Sequence, residues 1–394
     1  MDRKKIIIIS SIIAGLVLII GGIFFFASKK SGTTGDGGGF LGLFPDAGER
    51  GLEQGGEKGE GPAEEGGEGM EYKLFHLTNN AIAGATATST ANGSYIRYIE
   101  RATGHIYEIS PQGENGNRLS NTTILKSFES FWSPQADKMV INYFGDNGIS
   151  NYYSARLATS TGAISGVFLP QDTAAVAVSP LEEKIFYLKW AEKGAVGVSA
   201  DFENKKQQNV FNLPFGWFNA SWPSANIISL LTRPSAKAEG FLYFFDLKAK
   251  KLEKMIGGMN GLTALASPNG EKIIYSFSAN KGIQTNVASK EDKTADSFAL
   301  TTFPEKCVWS KASGNIVYCA APNGLPEADY PDEWYQGIIS FNDSIWMMDL
   351  STKEAYVLKT DSGADVINPF LTPDENYLVF TNKKDLTLWS LELR

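Results

Sequence analysis

A nine-residue pattern that recurs seven times constrains this chain more than any other feature of its sequence. The copies begin at Thr90, Ser133, Ser179, Trp222, Ser267, Ser310 and Thr372. Their first position is Ser or Thr in six copies, and their second position is Pro in five. Their seventh position is always a large aliphatic residue, namely Ile96, Met139, Ile185, Ile228, Ile273, Ile316 and Leu378. Since internal repeats decide the architecture of a chain that has them, seven similar structural units are predicted.

Each copy of the pattern predicts a turn followed by a β-strand. In the copy that starts at Ser267, proline presets φ at the second turn position and Gly270 tolerates a positive φ. Apolar residues at positions seven and nine are typical of a strand with one buried face. The copies start 43, 46, 43, 45, 43 and 62 residues apart, which is the spacing of propeller blades. We therefore predict an all-β fold, a seven-bladed β-propeller of four-stranded antiparallel blades over residues 71–394.

The two ends of this region are predicted to close the ring. The last repeat has room for only three strands, while residues 71–78 precede the first repeat and read as one spare strand. We expect residues 71–78 to pair with the C-terminal blade. Such closure leaves no long exposed sheet edge on which other chains could aggregate.

The repeats resemble a known family of propellers. The run of Ser-Pro-Asp/Asn-Gly, followed by Lys-Ile and an aromatic residue, precedes aromatic-rich strands such as 344–350 and 387–393. This combination is similar to the TolB-like, WD-type propeller repeat of bacterial proteins. Two copies depart from it, because Trp222 stands where Ser is usual and Ser310 is followed by Lys311 instead of Pro. In TolB-like relatives the channel mouth commonly receives a partner peptide, so the resemblance implies a binding role.

The N-terminal residues predict a membrane anchor. Residues 6–27 form a run of 22 residues without a charge, which as a helix spans about 33 Å, enough for a bilayer core. A cleaved signal peptide is the alternative, but the run exceeds a usual h-region and no small-residue cleavage site follows. The basic residues at positions 3–5 slightly outnumber those after the run, which favours a cytoplasmic tail of residues 1–5. We therefore expect a single-pass protein of the cytoplasmic membrane with its propeller on the extracytoplasmic side.

Residues 28–70 are predicted to be a disordered linker between the anchor and the propeller. From residue 31 to 70 there are 15 glycines, nine acidic and two basic residues in 40 positions. A segment with so little apolar surface does not offset the conformational entropy that folding costs. It would act as a flexible tether.

Little in the sequence indicates an enzyme. The chain lacks a G-x-S-x-G elbow, a Walker loop, an H-E-x-x-H motif and a dinucleotide fingerprint. Its two histidines, His76 and His105, read as structural or surface residues, so we predict no catalytic residue, no metal site and no cofactor. The net charge of −8 argues against a nucleic-acid partner. A hydrolase or lyase that uses carboxylates near the channel mouth remains the alternative, since such residues can meet in space without a sequence motif.

The sixth repeat contains an insertion that is the candidate partner site. Residues 321–342 lengthen this repeat by about eighteen residues, between the second and third strands of its blade. The insertion combines prolines, which lower the entropy cost of ordering a loop, with aromatic and acidic residues. The predicted partner-binding residues are Asp329, Tyr330, Asp332, Glu333, Trp334 and Tyr335. The alternative is that Trp334 and Tyr335 only fasten the loop to its own blade.

Cys307 and Cys319 flank the turn of the same repeat, almost opposite each other on adjacent strands. Outside the cytoplasm such a pair could form a disulfide, while two buried free thiols are the alternative.

Taken together, the sequence predicts a membrane-tethered extracytoplasmic scaffold that binds a protein, peptide or glycan. A purely structural component of a cell-envelope assembly is a third possibility.

Overall fold

The protein is described by a computed structural model over residues 72–91, 93–290 and 295–394. The predicted cytoplasmic tail (1–5), transmembrane helix (6–27) and linker (28–70) lie outside these residues, as does residue 71. No helix in the described part of the chain is long and apolar enough to cross a membrane. The described residues form 28 strands and two short helices, which makes this part of the chain all-β.

Seven four-stranded antiparallel sheets form the blades of a propeller, and β1 (Leu74–His76) precedes the first complete blade. From the innermost to the outermost strand, blade 1 contains β2 (Ile82–Thr90), β3 (Gly93–Glu100), β4 (Ile106–Ile109) and β5 (Asn117–Arg118). Blade 2 contains β6 (Ser127–Trp132), β7 (Lys138–Phe144), β8 (Ser150–Ala158) and β9 (Ala163–Phe168). Blade 3 contains β10 (Thr173–Val178), β11 (Lys184–Ala191), β12 (Gly194–Asp201) and β13 (Gln208–Leu213).

The remaining blades repeat this order. Blade 4 contains β14 (Phe218–Ser224), β15 (Ile227–Thr232), β16 (Glu239–Asp246) and β17 (Lys251–Asn260). Blade 5 contains β18 (Thr263–Ala266), β19 (Lys272–Ala279), β20 (Gly282–Ser289) and β21 (Ala295–Ser297). Blade 6 contains β22 (Cys307–Trp309), β23 (Ile316–Pro322), β24 (Asp343–Asp349) and β25 (Glu354–Lys359), with a 3₁₀ turn at Pro304–Lys306 and the helix α1 at Asp332–Tyr335. Blade 7 contains β26 (Val366–Leu371), β27 (Tyr377–Asn382) and β28 (Leu388–Glu392), and its outermost strand is β1. The predicted seven-bladed propeller of four-stranded blades is therefore confirmed.

The ring closes where the start of the described chain meets its last blade. Strand β1 pairs antiparallel with β28, so that Leu74 lies opposite Leu391 and His76 opposite Trp389. The Leu77 N–H donates to the Leu388 carbonyl at 2.8 Å and continues the ladder past the end of β1. Blade 7 is thus assembled from chain segments that are about 310 residues apart in sequence.

Most of the core lies between neighbouring blades. Seven apolar clusters fill the seven interfaces between adjacent blades, and each cluster draws residues from both blades. The second strands are consequently buried on both faces, as three successive residues of β7 show: Met139, Val140 and Ile141 are each 0% exposed. The sequence pattern suggested one buried face. The second face is covered as well, because each blade packs between two others.

A hydrogen bond that recurs within the turns explains why the first position of the repeat is Ser or Thr. In three copies the hydroxyl of this Ser or Thr accepts a hydrogen bond from the backbone N–H of the sixth position. The donor and acceptor pairs are Lys138 and Ser133 (3.2 Å), Lys272 and Ser267 (2.9 Å), and Tyr377 and Thr372 (3.1 Å). A short hydroxyl side chain is the residue type that closes such a turn on itself.

The sixth repeat corrects one position of the predicted alignment. The Ser310 N–H donates to the carbonyl of Ile316, one residue later than in the copies at Ser133, Ser179, Ser267 and Thr372, so this turn is one residue longer than theirs. The fully buried positions are therefore Val317 and Cys319, and Ile316 is only half-buried. The absence of proline at Lys311 also has a reason, since its N–H donates to Glu375 Oε1 of blade 7 at 2.6 Å. Proline has no N–H to donate.

Candidate functional site

The connections of the propeller are divided between two faces. The chain runs outward through the four antiparallel strands of each blade. As a result, the hairpins between second and third strands lie on the same face as the connections between blades. We call this face the mouth face. The opposite face carries the repeated turns, and we call it the turn face. The insertion of the sixth repeat connects β23 to β24, which places it on the mouth face.

Two of the predicted partner-binding residues are buried inside the insertion. Tyr330 and Trp334 are each only 1% exposed. The ring of Trp334 stacks on Phe303 with centroids 4.6 Å apart and planes at 4°, and the Tyr330 hydroxyl donates to the Pro326 carbonyl at 2.5 Å. A partner cannot reach these side chains in this structure. For Tyr330 and Trp334 the structure supports the alternative that they fasten the loop to its blade.

A buried ion cluster holds the insertion at the junction of blades 6 and 7. The Nζ of Lys306, which is 0% exposed, lies 2.6 Å from Asp343 Oδ2 and 2.5 Å from Asp365 Oδ1. The Trp334 Nε1–H donates to Asp365 Oδ2 at 3.0 Å. Burial raises the pKa of Asp343, and the positive charge of Lys306 opposes that increase. This cluster is structural, because its members are closed off from solvent.

The acidic residues of the insertion also have partners within the chain. Asp329 Oδ1 lies 2.5 Å from the Nζ of Lys281, and this hydrogen-bonded pair lowers the pKa of Asp329. Asp332 Oδ2 accepts a hydrogen bond from the Ala236 N–H at 2.5 Å. Glu333 Oε1 accepts a longer one from the Asp329 N–H at 3.3 Å. Asp332 thus binds the insertion to blade 4 and Asp329 binds it to blade 5, whereas the Glu333 contact lies within the insertion.

Of the six predicted partner-binding residues, only Tyr335 is exposed. Tyr335 is 41% exposed and Ile338 is 65% exposed. The hydroxyl of Tyr335 donates to Glu305 Oε1, so only the outer side of its ring faces solvent. Among the six predicted residues, Tyr335 presents the most accessible apolar surface.

Cys307 and Cys319 form a disulfide. They lie directly opposite each other on β22 and β23, with Cα atoms 4.1 Å apart. Both residues are buried in the interface of blades 5 and 6. Of the two alternatives left open by the sequence, the structure therefore has the bonded pair.

A groove on the mouth face of blades 2 to 4 is the most prominent candidate site. We call it the mouth groove and define its walls by five residues: Phe128, Phe144, Ile149, Trp190 and Trp217. It has a cavity volume of about 670 Å³. Three of the wall residues are exposed to an extent unusual for their type, with Phe144 at 43%, Ile149 at 56% and Trp217 at 59%. Contiguous exposed apolar surface of this kind is characteristic of binding sites.

Close packing of the connection between blades 3 and 4 positions one wall of the mouth groove. Trp190 lies one residue before the end of the second strand of blade 3, and its ring meets that of Trp217 edge to face with centroids 5.0 Å apart. A Cβ at Gly216 would lie 2.7 Å from the Trp190 ring and 2.8 Å from the Cβ of Ala195. Only glycine therefore allows the chain to pass this close to Trp190 and to place Trp217 beside it.

Polar side chains line the inner end of the mouth groove, where it meets the channel. Glu129, Tyr152 and Arg233 line the cavity of about 380 Å³ that continues toward the innermost strands. Asn142 Nδ2 donates to Glu129 Oε2 at 3.2 Å. Glu129 is exposed to solvent, yet many protein atoms surround its carboxylate. The resulting desolvation raises the pKa of Glu129, while the hydrogen bond from Asn142 acts to lower it. Burial raises the pKa of Tyr152 to about 12, so its hydroxyl stays protonated at neutral pH.

The mouth groove was not predicted from the sequence, which carries only a weak signal for it. Its walls come from three blades, and none of its residues belongs to the repeated pattern. The only local sign was the run from Phe215 to Phe218, which places three aromatic residues around Gly216 in a connection. Connections rich in exposed aromatic residues are unusual, because loops normally carry polar side chains.

Neither histidine lies near the mouth groove. His76 stacks on Trp389 with centroids 4.4 Å apart, and His105 Nε2 is 3.2 Å from Thr123 Oγ1. Within the described residues, no group of three or more His, Cys, Asp and Glu side chains is placed to hold a metal ion.

Comparisons with known proteins identify the fold but no family. No family model matches the chain, and no curated protein matches its sequence. Among solved structures, an oligogalacturonate lyase from Vibrio parahaemolyticus is similar, with a TM-score of 0.51 and 9% identity over 82% of this chain and 99% of that one. A puromycin hydrolase mutant complexed with PGG has a TM-score of 0.50 and 12% identity, over 79% of this chain and 52% of that one.

TolB from Acinetobacter baumannii is a further similar structure, with a TM-score of 0.46 and 13% identity. The match covers 68% of this chain and spans 64% of the length of that TolB. At these identities the likenesses to the lyase and the hydrolase show a shared propeller fold. Since propellers host both binding proteins and enzymes, the function has to be argued from the site itself.

Proposed function

We propose that this protein is a binding propeller whose mouth groove receives a peptide segment of a partner protein. The observation that carries the proposal is the concentration of solvent-exposed aromatic and aliphatic side chains around one cavity. Tryptophan and tyrosine, with arginine, dominate the energetics of protein interfaces because they bury much area at low entropy cost. In the mouth groove Trp217 is held by Trp190 and Gly216, so it is already ordered before a partner arrives.

The exposed aromatic surface extends beyond the cavity and favours a partner larger than a small molecule. Phe168 is 68% exposed at the outer end of blade 2, where its ring packs against Tyr153 with centroids 5.0 Å apart. Phe215 is 42% exposed beside Trp217. An extended peptide that crosses the mouth groove would cover both flanks. Tyr335, on the insertion, is a further proposed contact at the same face.

We further propose that the propeller is tethered to the outer side of the cytoplasmic membrane. The support is the uncharged run of residues 6–27 and the Gly-rich, acidic segment that follows it. The buried Cys307–Cys319 disulfide suits an oxidising compartment. The similarity of the seven repeats to the TolB-like pattern supports a binding role in the cell envelope.

The enzyme alternative finds less support at this site. A glycosidase-like mechanism requires two carboxyl groups that flank the scissile bond. The described linings of the three cavities around the channel contain one carboxylate, Glu129. A lining with a single carboxylate therefore favours a binding role over a glycosidase-like reaction.

The proposal can be tested by crosslinking followed by capture of the full-length protein from membranes. Trp217→Ala removes one wall of the mouth groove, and Leu181→Ala is the matched control. Leu181 is 68% exposed but lies in a repeated turn on the turn face. We expect the Trp217→Ala variant to lose the crosslinked partner and the Leu181→Ala variant to keep it, with equal melting temperatures. Identical capture by both variants would show that the mouth groove is not the binding site.

A further inference from the structure

We infer that Arg233 makes the mouth groove selective for peptides that end in a free carboxylate next to an apolar residue. This inference rests on the proposed function of the groove and names the chemistry of its ligand. It depends on three observations: the position of Arg233, the lack of an ion-pair partner for it among the described residues, and the character of the groups around it.

The chain holds Arg233 at the inner end of the mouth groove. Its backbone N–H donates to the Trp217 carbonyl at 3.1 Å. Its guanidinium lies over the Trp217 ring, 5.0 Å from the centroid. Stacking on an aromatic face leaves the edge of the guanidinium, with its N–H groups, free to bind a planar acceptor.

Within the described residues, no carboxylate forms an ion pair with Arg233. The side chain is also exposed. The contrast with Arg97 is informative, because that arginine is mostly buried and pairs with Glu108 at 2.8 Å. Arg233 is thus an ordered cation that faces a cavity, in a protein with a net charge of −8.

The surroundings of Arg233 suit an anion. Glu129 is the only carboxylate in the linings of the two cavities that Arg233 joins. The Glu129 carboxylate is occupied by a hydrogen bond from Asn142 Nδ2, and Tyr152, whose pKa burial raises to about 12, remains a neutral hydroxyl. Asn142 and Gln171 add neutral amides to the lining. The site therefore has one full positive charge and several hydrogen-bonding groups.

The position of Arg233 favours the C-terminal carboxylate of a peptide over an acidic side chain within the peptide. It lines both the open groove and the inner cavity, so it lies where a chain that crosses the aromatic walls would reach the channel. A terminal carboxylate could accept two parallel N–H bonds from the guanidinium. The side chain of the last residue would then pack against Trp217, Trp190 and Phe144, which favours an apolar or aromatic residue.

Calorimetric titration of the detergent-solubilised full chain with three probes tests this inference. The probes are N-acetyl-Gly-Phe with a free carboxylate, the same dipeptide with a C-terminal amide, and digalacturonate. We expect the free acid to bind at least about tenfold more tightly than the amide, since charge-assisted hydrogen bonds are the stronger class. Arg233→Gln should reduce this ratio to about one, whereas Lys237→Gln, at an exposed lysine nearby, should leave it unchanged.

The outcomes separate the inference from the function on which it rests. Equal affinity of acid and amide, both lost in Trp217→Ala, would overturn the carboxylate preference and leave the peptide groove intact. Failure of both peptides to bind would overturn the proposed peptide function as well. Binding of digalacturonate alone, dependent on Arg233, would replace the peptide terminus by a glycan carboxylate and refute the inference.

Discussion

Replacing Lys306 by methionine tests the buried ion cluster that holds the insertion. The substitution keeps most of the side-chain volume but removes the cation that lies 2.6 Å from Asp343 Oδ2 and 2.5 Å from Asp365 Oδ1. Two carboxylates that are 0% exposed would remain without their counter-ion. Removing one partner of a buried ion pair costs about 3–5 kcal/mol. For a body of roughly 320 residues with an unfolding entropy of about 0.7 kcal/mol/K, this corresponds to a melting temperature lower by about 4–7 °C.

Thermal and urea unfolding of matched variants provide the measurement. Lys353→Met is the control, because Lys353 forms an ion pair with Asp296 at 3.1 Å in which both side chains are more than half exposed. Such surface pairs contribute about 0–1 kcal/mol. Adding Asp343→Asn and Asp365→Asn to Lys306→Met should recover much of the loss, since no buried charge remains. If Lys306→Met costs no more than Lys353→Met, the cluster does not stabilise this junction and our reasoning is wrong.

Three further predictions follow from contacts described above. Lys311→Pro restores the usual residue of the repeat but removes the N–H that donates to Glu375; we expect urea unfolding to show a loss of about 1.5–3 kcal/mol. Because the pKa of Glu129 is raised in the folded state, its protonated form is the stabilising one, and this stability is lost as pH rises through the folded pKa. Glu129→Gln should therefore leave stability unchanged in acid and increase it at neutral pH, as urea midpoints measured from pH 4 to 8 would reveal. Finally, reduction of the disulfide between Cys307 and Cys319 should increase the intact mass by about 2 Da. Because the bond closes a loop with a sequence separation of 12, its reduction should also lower the free energy of unfolding by about 3 kcal/mol. An unchanged mass would contradict the disulfide.

The ring could be predicted from the sequence because each blade carries the same local chemistry. Ser133 and Ser267 close similar turns on their own backbone, and that signal needs no knowledge of the rest of the chain. The alignment was wrong at Ile316 because a turn lengthened by one residue leaves the overall period almost unchanged. One extra residue in the turn shifts the register of the following strand by one, so a different set of side chains faces the core.

The candidate site was harder to predict because exposure is a tertiary property. Trp334 and Trp217 are the same residue type in similar connections, yet they are 1% and 59% exposed. Trp334 is covered because Phe303 and Asp365 approach it from outside the insertion. The ring of Trp217 contacts Trp190 and the Arg233 guanidinium, which leave it 59% exposed. The sequence pattern could therefore find both tryptophans but could not distinguish their roles.

The pairing of β1 with β28 also sets the order in which the protein can be completed during synthesis. Blades 1 to 6 contain only their own consecutive strands, so each can form as soon as its residues leave the ribosome. Strand β1 is among the first of the described residues to emerge, but it has no partner until Leu388–Glu392 has been translated. A nascent chain that stalls before residue 388 would keep an open ring with two unpaired edges. Closure of the ring therefore waits for the last described strand of the chain.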